Sequence, residues 1–420
     1  MTKNNRKKTV SQAISTAVAL GWVIMQVESA QAATLTVNNL NDSGVGSLRD
    51  TINMATSNDV VFLLGSHPST INLTSGALAI PATGYAYAKN LTINGPGANL
   101  LTISSNNHFP VFDISAANVT FSGLAIAGNF NADNSSNLAF INSTVSGDNF
   151  KIDSNLRLIN STISSNNIEI NANDVTLTDN SQLVSSDNIK INANDVTLTD
   201  HSQLVSSNNT EINASKLIIQ DHSNIGTHNG ITNNGTLSIS TANLGLNNDG
   251  QINAGDNNNS GAGGSITVTA SDAITITGSD VLPTRVPELS AIAGGSNHSG
   301  AGGEISITAT TLILNPGSFI SKPVPEPGAI AGGNINSIRG GNITLTIPDL
   351  LILKPVRKPS AIADDSNNSG LGGNITISAP NGFIISKPVP EPSAIAGSIL
   401  ACSLAWLAKR NFAAFHKAKA

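Results

Sequence analysis

The chain has 420 residues, of which 39% are hydrophobic, 4% are aromatic and 11% are charged, and its formal net charge at pH 7 is −6. Ordinary globular domains contain about 25% charged residues, and nucleic-acid-binding domains carry a basic patch. This composition therefore excludes a conventional aromatic core and a nucleic-acid partner. The single cysteine, Cys402, excludes a disulfide framework and a cysteine-ligated metal site.

Residues 1–32 are predicted to be a secretory signal peptide. A basic segment at residues 3–8 precedes an uncharged apolar stretch at residues 13–25. Ala30 and Ala32 then form an A-x-A cleavage site. The alternative is an N-terminal membrane anchor that is kept, but the apolar stretch is short for a membrane span.

Residues 33–89 are predicted to hold an N-terminal cap and the first strands. A strand at residues 34–37 is followed by glycine turns and a short amphipathic helix from about Leu48 to Ala55. Together with the phrases at residues 90–103, 111–115 and 119–126, this segment resembles the N-terminal part of a group of secreted bacterial β-helix proteins, and the resemblance covers about residues 34–128. The resemblance implies a fold and export, and it implies no activity.

Residues 90–246 are predicted to form a β-helix with short coils. Residues 170–179 recur without change as residues 191–200, and Ile212 opens a third copy, so the period is 21 residues. A related phrase at residue 138 recurs at residue 156, which gives a coil of 18 residues. Repeats at a fixed period of this length indicate stacked supersecondary units.

The fold predicted from this repeat is an all-β, right-handed parallel β-helix. Each unit contains three short runs in which apolar and polar residues alternate, as in strands, and parallel crossovers strongly prefer the right hand. Stacking places Ile170 on Ile191 and Val175 on Val196 in internal columns. The predicted amide ladders are Asn171 on Asn192 and Asn173 on Asn194.

Residues 247–388 are predicted to continue the β-helix with longer coils. Glycine turns such as those beginning at Gly261 and Gly300 each precede a strand, and Ile252 and Ile292 lie 40 residues apart in a repeated phrase. These repeats resemble those of filamentous-haemagglutinin-type surface proteins, which are also β-helical.

Residues 389–420 resemble a PEP-CTERM sorting signal. The motif is Val389, Pro390, Glu391 and Pro392, an apolar run covers residues 393–408, and the basic stop is Lys409 and Arg410. The resemblance implies a membrane helix and cleavage by an exosortase-type protease. The alternative is a permanent anchor that is never cleaved. An earlier copy at residues 323–327 has no apolar run and is interpreted as a rigid proline turn.

The sequence predicts no catalytic, cofactor-binding or metal-ligating residue. Two acidic ridges are expected, because Asp174 stacks on Asp195 and Asp179 on Asp200, and carboxylate clusters can hold Ca²⁺. Since these ridges arise from duplication at turn positions, we expect at most a weak structural effect of calcium. The remaining candidates are interpreted as surface residues: Asp364, Asp365, His201, His222 and His228.

The expected function is that of an exported structural or adhesion protein at the cell surface or in the extracellular matrix. Its expected partners are the exosortase-type protease, the membrane before processing, and exopolysaccharide or cell-surface glycans. β-Helices also host polysaccharide lyases and hydrolases, so a glycan-active enzyme is one alternative. A carbohydrate-binding solenoid without catalysis is the other.

Overall fold

The computed structural model describes residues 34–55, 59–80, 89–115, 117–133, 137–227, 235–248, 250–254, 264–277, 291–293, 304–314, 343–353, 375–381 and 383–385. Within these ranges most residues lie in β-strands, and there is one short helix. The predicted all-β class is confirmed. The predicted signal peptide and sorting signal lie outside the described residues.

The first half of the described chain contains the helix α1 (Leu48–Met54) and short strands that lengthen along the chain. The strands are β1 (Thr34–Val37), β2 (Asp59–Phe62), β3 (Ser69–Asn72), β4 (Leu78–Ile80), β5 (Lys89–Asn94), β6 (Leu101–Ser104), β7 (Phe112–Ile114), β8 (Ala117–Ser122), β9 (Ala125–Ala127), β10 (Phe130–Ala132), β11 (Asn137–Ile141), β12 (Thr144–Ile152), β13 (Asn155–Ile159), β14 (Thr162–Asn171) and β15 (Asp174–Thr178).

The second half contains five strands of 10–17 residues that continue around a corner of the stack, together with eight strands of three or four residues. They are β16 (Gln182–Leu198), β17 (Gln203–Ser206), β18 (Asn209–Gln220), β19 (Asn224–Thr227), β20 (Thr236–Asn247), β21 (Gln251–Ala254), β22 (Ser265–Thr277), β23 (Ala291–Ala293), β24 (Ile305–Leu314), β25 (Ile343–Thr346), β26 (Leu350–Leu353), β27 (Ile375–Ser378) and β28 (Phe383–Ile385).

All strand pairings are parallel and follow three series, which we call the first, second and third faces of a β-solenoid. The first face runs from β1 through β2, β5, β8, β11, β13 and β15 to the ends of the long strands. The second runs through β3, β6, β9 and β12 to β23. The third runs through β4, β7, β10 and β12 to β27.

Inward residues of successive coils stack in columns, as the repeat predicts. Ile170 pairs with Ile191 and Val175 with Val196, and all four are at most 1% exposed. Burying an aliphatic side chain contributes about 1.5–3 kcal/mol, but one coil alone cannot cover its own column. The columns are therefore the main reason why the coils are stable only as a stack.

Phenylalanines fill the early coils, although the low aromatic content of the chain argued against a conventional aromatic core. The rings of Phe112, Phe121, Phe130, Phe140 and Phe150 are all buried, and neighbouring ring centroids lie 4.7–6.4 Å apart. Offset and edge-on aromatic pairs at these distances contribute beyond their area. This part of the solenoid has an aromatic core.

The corner between the first and second faces repeats a left-handed backbone position. Asn142, Asn160, Asp179, Asp200 and Asp221 have φ between +46° and +55°, a conformation that Asn and Asp tolerate better than most residues. A buried serine follows on the inside of each turn. The amide of Ser143 donates to Oγ of Ser161 at 3.0 Å, so the hydroxyl of one coil binds the backbone of its neighbour.

A short helix follows the first described strand. Helix α1 ends at Met54, one residue before the predicted end, and Oγ of Ser47 accepts a hydrogen bond from the amide of Asp50 as an N-cap. Leu48 and Ile52 bury their side chains in the core. The helix therefore covers the open end of the first coil.

Candidate interaction surface

An alternating row of charges runs along the third face. Its members, which we call the charged strip, are Lys151, Glu169, Lys190 and Glu211, one from each of four successive coils and in register. Nζ of Lys151 lies 3.1 Å from a carboxylate oxygen of Glu169, and Nζ of Lys190 lies 3.5 Å from one of Glu211. The side chains remain 43–53% exposed, so they are accessible to a partner.

Amide ladders flank the charged strip on both sides. On one side Nδ2 of Asn192 donates to Oδ1 of Asn171 at 2.8 Å, and Nδ2 of Asn213 donates to Oδ1 of Asn192 at 2.9 Å. On the other side Nδ2 of Asn209 donates to Oδ1 of Asn188 at 3.0 Å. The predicted Asn171–Asn192 ladder is confirmed. Because each amide is held by the next, this part of the face presents its polar groups at fixed positions.

The first face carries a second charged column. Asp174 and Asp195 pair in register as predicted, and the next residue in the column is Lys216. The sequence predicted an acidic ridge here, but Lys216 gives Asp195 an opposite charge as its neighbour. The backbone amide of Asp174 donates to Oδ1 of Asn155 at 2.9 Å, so the start of this strand is fixed by the coil before it.

The other predicted acidic ridge lies at the left-handed corner. Asp179, Asp200 and Asp221 occupy equivalent turn positions, and Asp221 accepts hydrogen bonds from Oγ1 of Thr199 at 2.8 Å and from Nδ2 of Asn248 at 3.0 Å. These bonds give the Asp221 carboxylate a role in the turn. Beside it, the exposed rings of His201 and His222 stack with centroids 4.7 Å apart.

Within the described residues, no group of three or more His, Cys, Asp or Glu side chains is arranged to hold a metal ion. His228 and the pair Asp364 and Asp365 lie outside those residues. So do Ala30, Ala32, Val389, Pro390, Glu391, Pro392, Lys409 and Arg410. None of the helices in the described ranges has the length and apolarity needed to cross a membrane.

A shallow groove of about 340 Å³ crosses four coils of the first face. Its lining includes the small side chain of Ala139 and the charged groups of Arg157 and Asp174. Along it runs a third amide ladder, in which Asn137 donates to Asn118 at 2.5 Å and Asn155 donates to Asn137 at 2.8 Å. The guanidinium of Arg157 is exposed and has no hydrogen-bonding partner among the described residues, so it is available to an external acceptor.

A partly buried ion pair joins the N-terminal cap to the first coil. Nη2 of Arg49 lies 2.7 Å from Oδ1 of Asp42, and its guanidinium also donates to the carbonyls of Gly76 and Ala77 at 2.6 Å. Burial alone would raise the pKa of Asp42, but hydrogen bonds from Arg49, Ser75 and Thr74 outweigh it and hold that pKa well below its usual value.

Comparison of the chain with protein-family models, with curated proteins and with solved structures found no match.

The charged strip and Arg157 are the features that sequence reasoning missed. A signal for the strip was present, since Lys151, Glu169 and Lys190 each occupy the middle of an apolar-x-apolar triplet one coil apart. For Arg157 the sequence contains no comparable signal, because the groove depends on the small Ala139 side chain in the neighbouring coil.

Proposed function

We propose that this protein is an exported structural or adhesive β-solenoid that acts at the cell surface or in the extracellular matrix. The observation that supports this proposal is the continuous parallel stack, which extends over all three faces with its polar side chains fixed in ladders. Such a stack is expected to be stiff, and it repeats its asparagine ladders at the strand spacing of about 4.8 Å. A surface of this kind suits many weak contacts made at once.

Export and retention in this proposal depend on the terminal segments. A signal peptide ending at Ala32 and a right-handed solenoid are part of the proposal. So is a sorting signal at residues 389–420, whose apolar run would arrest translocation and whose basic end would stay cytoplasmic. An exosortase-type protease would then release the chain or transfer it to the surface.

The test is to follow the full-length chain in a host that exports such proteins. Wild-type chain should be digested by protease added to intact cells and should lack the tail after residue 392 in mass spectra. Glu391→Ala should leave an uncleaved membrane-bound precursor, whereas the matched change Glu326→Ala in the earlier proline motif should be sorted normally. A peptide covering residues 406–419 in the mature surface form would contradict tail cleavage.

A second candidate function, carbohydrate binding, is favoured by the groove on the first face. Arg157 offers a planar donor set that matches a carboxylate or a pair of sugar hydroxyls, and the Asn118–Asn137–Asn155 ladder supplies further amide groups. Glycan arrays with the full-length chain should show binding that Arg157→Ala removes and Lys216→Ala retains. Release of reducing ends or unsaturated products would instead favour the glycan-active enzyme.

A further inference from the structure

We infer that the third face pairs with the third face of a second copy of this chain, with the two solenoid axes antiparallel. The charged strip reads Lys, Glu, Lys, Glu along the axis. Read from the other end, it is Glu, Lys, Glu, Lys. When two such rows face each other in opposite directions, every lysine therefore lies opposite a glutamate. A two-fold symmetric interface requires a surface that matches itself in this way.

The two-fold axis lies between β14 and β16 and is parallel to the strands. It places Lys151 opposite the partner's Glu211 and Glu169 opposite the partner's Lys190. Within one chain, no ion pair joins Glu169 to Lys190, although both belong to the described residues and lie in register. The second copy supplies an opposite charge to both of them.

The side chains beside and beyond the charged strip are also compatible with the antiparallel dimer. Oδ1 of Asp153 already accepts a hydrogen bond from Nδ2 of Asn171 at 2.6 Å. In the antiparallel pair it faces the amide of the partner's Asn213. Asp113, which lies further along the solenoid axis, faces the hydroxyl of the partner's Thr267. The reason is that β20 and β22 carry serine and threonine at the positions in register with the charged strip. No carboxylate among these residues meets another across the interface.

The charge order also selects the orientation of the partner. If the two-fold axis ran along the solenoid, each residue of the charged strip would face itself, and Lys151 would oppose the partner's Lys151. Opposing like charges at an interface strongly disfavour the complex. The antiparallel pair is therefore the face-to-face dimer that this surface favours.

The available area suffices for a weak specific dimer. Eight coils, from β7 to β22, contribute to the matched part of the face. At about 4.8 Å per coil and about 3.3 Å per residue across five residues, this is about 600 Å² per copy. The total of about 1,200 Å² lies at the lower end of specific interfaces. Because the face is polar, we expect a micromolar dimer that weakens as salt screens the charges.

The test is a complete charge exchange of the strip, with the substitutions K151E, E169K, K190E and E211K made together in the full-length chain. The exchanged chain keeps both ion pairs within one molecule, so it should unfold at the same temperature as wild type. Its strip is again self-complementary. A mixed pair of exchanged and wild-type chains would instead form four pairs of like charges, two between lysines and two between glutamates.

The chains are mixed with different tags and examined by native mass spectrometry and sedimentation. Dimers of wild type and of exchanged chains are expected, with mixed dimers at least about tenfold below the statistical proportion, since each 1.4 kcal/mol is a factor of ten. Monomers throughout the micromolar range would overturn the inference. Mixed dimers at the statistical proportion would also overturn it, because pairing would then occur through another part of the chain.

Antiparallel pairing has a consequence for adhesion. Two solenoids anchored in facing surfaces approach one another with opposite axes, so the same contact would join neighbouring cells. This consequence rests on the proposed function, whereas the pairing itself does not. Sorting of the chain could fail even though purified wild-type and exchanged chains still form no mixed dimers. The proposed function would then be wrong, and the inferred interface would remain supported.

Discussion

Arg49 and Asp42 form an ion pair at 2.7 Å that joins the start of α1 to the turn at residues 74–77. Both side chains are at most 20% exposed, so Arg49→Ala would leave the Asp42 carboxylate without its strongest donor. A hydrogen bond to a charged group contributes about 1.5–3 kcal/mol, and we expect the first coil to lose about 2 kcal/mol. Hydrogen exchange of the amides at residues 69–78 measures this loss.

The matched control is Arg157→Ala, which removes an arginine that has no partner among the described residues. Its effect on the stability of its own coil should stay within about 0.5 kcal/mol, as for most surface substitutions. Equal losses for the two variants would contradict a stabilising role for the Arg49–Asp42 pair.

The same pair makes the stability of the cap depend on pH. The pKa of Asp42 is lower in the folded chain than in the unfolded chain, where it is about 3.9. The unfolded state therefore binds the proton more readily, so the contribution of Asp42 is complete above pH 4 and decreases as the pH falls below that value. The difference in protection between wild type and Asp42→Asn should shrink as the pH falls from 5 to 2. A constant difference would contradict this assignment.

Val196 tests whether the columns hold the coils together. It is fully buried and pairs with Val175 and Leu217 of the neighbouring coils. Val196→Asp places a carboxylate among aliphatic groups, which costs several kcal/mol. Thr197→Asp is the control, because the outward position keeps its carboxylate in contact with water. We expect a large loss of far-UV strand signal and of the urea midpoint for Val196→Asp alone.

Asn192 tests the contribution of an amide ladder. It donates to Asn171 and accepts from Asn213, so Asn192→Ala removes two side-chain hydrogen bonds. At about 1 kcal/mol for each bond, we expect a loss of about 1–2 kcal/mol in urea denaturation. Asn253→Ala is the matched control, since Asn253 also points outward and its side chain makes no hydrogen bond within the described part of the chain. A similar loss in both variants would show that the ladder adds nothing.

The 21-residue repeat made the stacking predictable at the level of single residues. Side chains on a strand alternate between the inside and the outside of the solenoid. A phrase that recurs unchanged one coil later therefore pairs residue by residue with its first copy, and this register keeps Ile170 and Ile191 inside. The coils of 18 and 19 residues lack this identity, which is why the pairing of Lys151 with Glu169 was not predicted. The contact of Arg49 with the carbonyl of Ala77 spans 28 residues. This contact depends on the position of the turn at residues 74–77, and the repeat period of the sequence does not predict the position of that turn.

A substitution of Asp174 tests whether charge repulsion in the charged column of the first face lowers the stability of the chain. It lies in register with Asp195, and like charges directly opposite one another on a sheet are destabilising. Asp195 also neighbours Lys216, so only Asp174 lacks an opposite charge in this column. Asp174→Asn should therefore stabilise the chain by about 0.5 kcal/mol or less at low salt, and the gain should vanish in 1 M salt, where the Debye length is about 3 Å.

Asp195→Asn removes the same repulsion together with the attraction to Lys216, so its net effect should be smaller. Thermal unfolding at both salt concentrations measures the two variants, and a gain for Asp174→Asn that persists at high salt would show that the effect is not electrostatic.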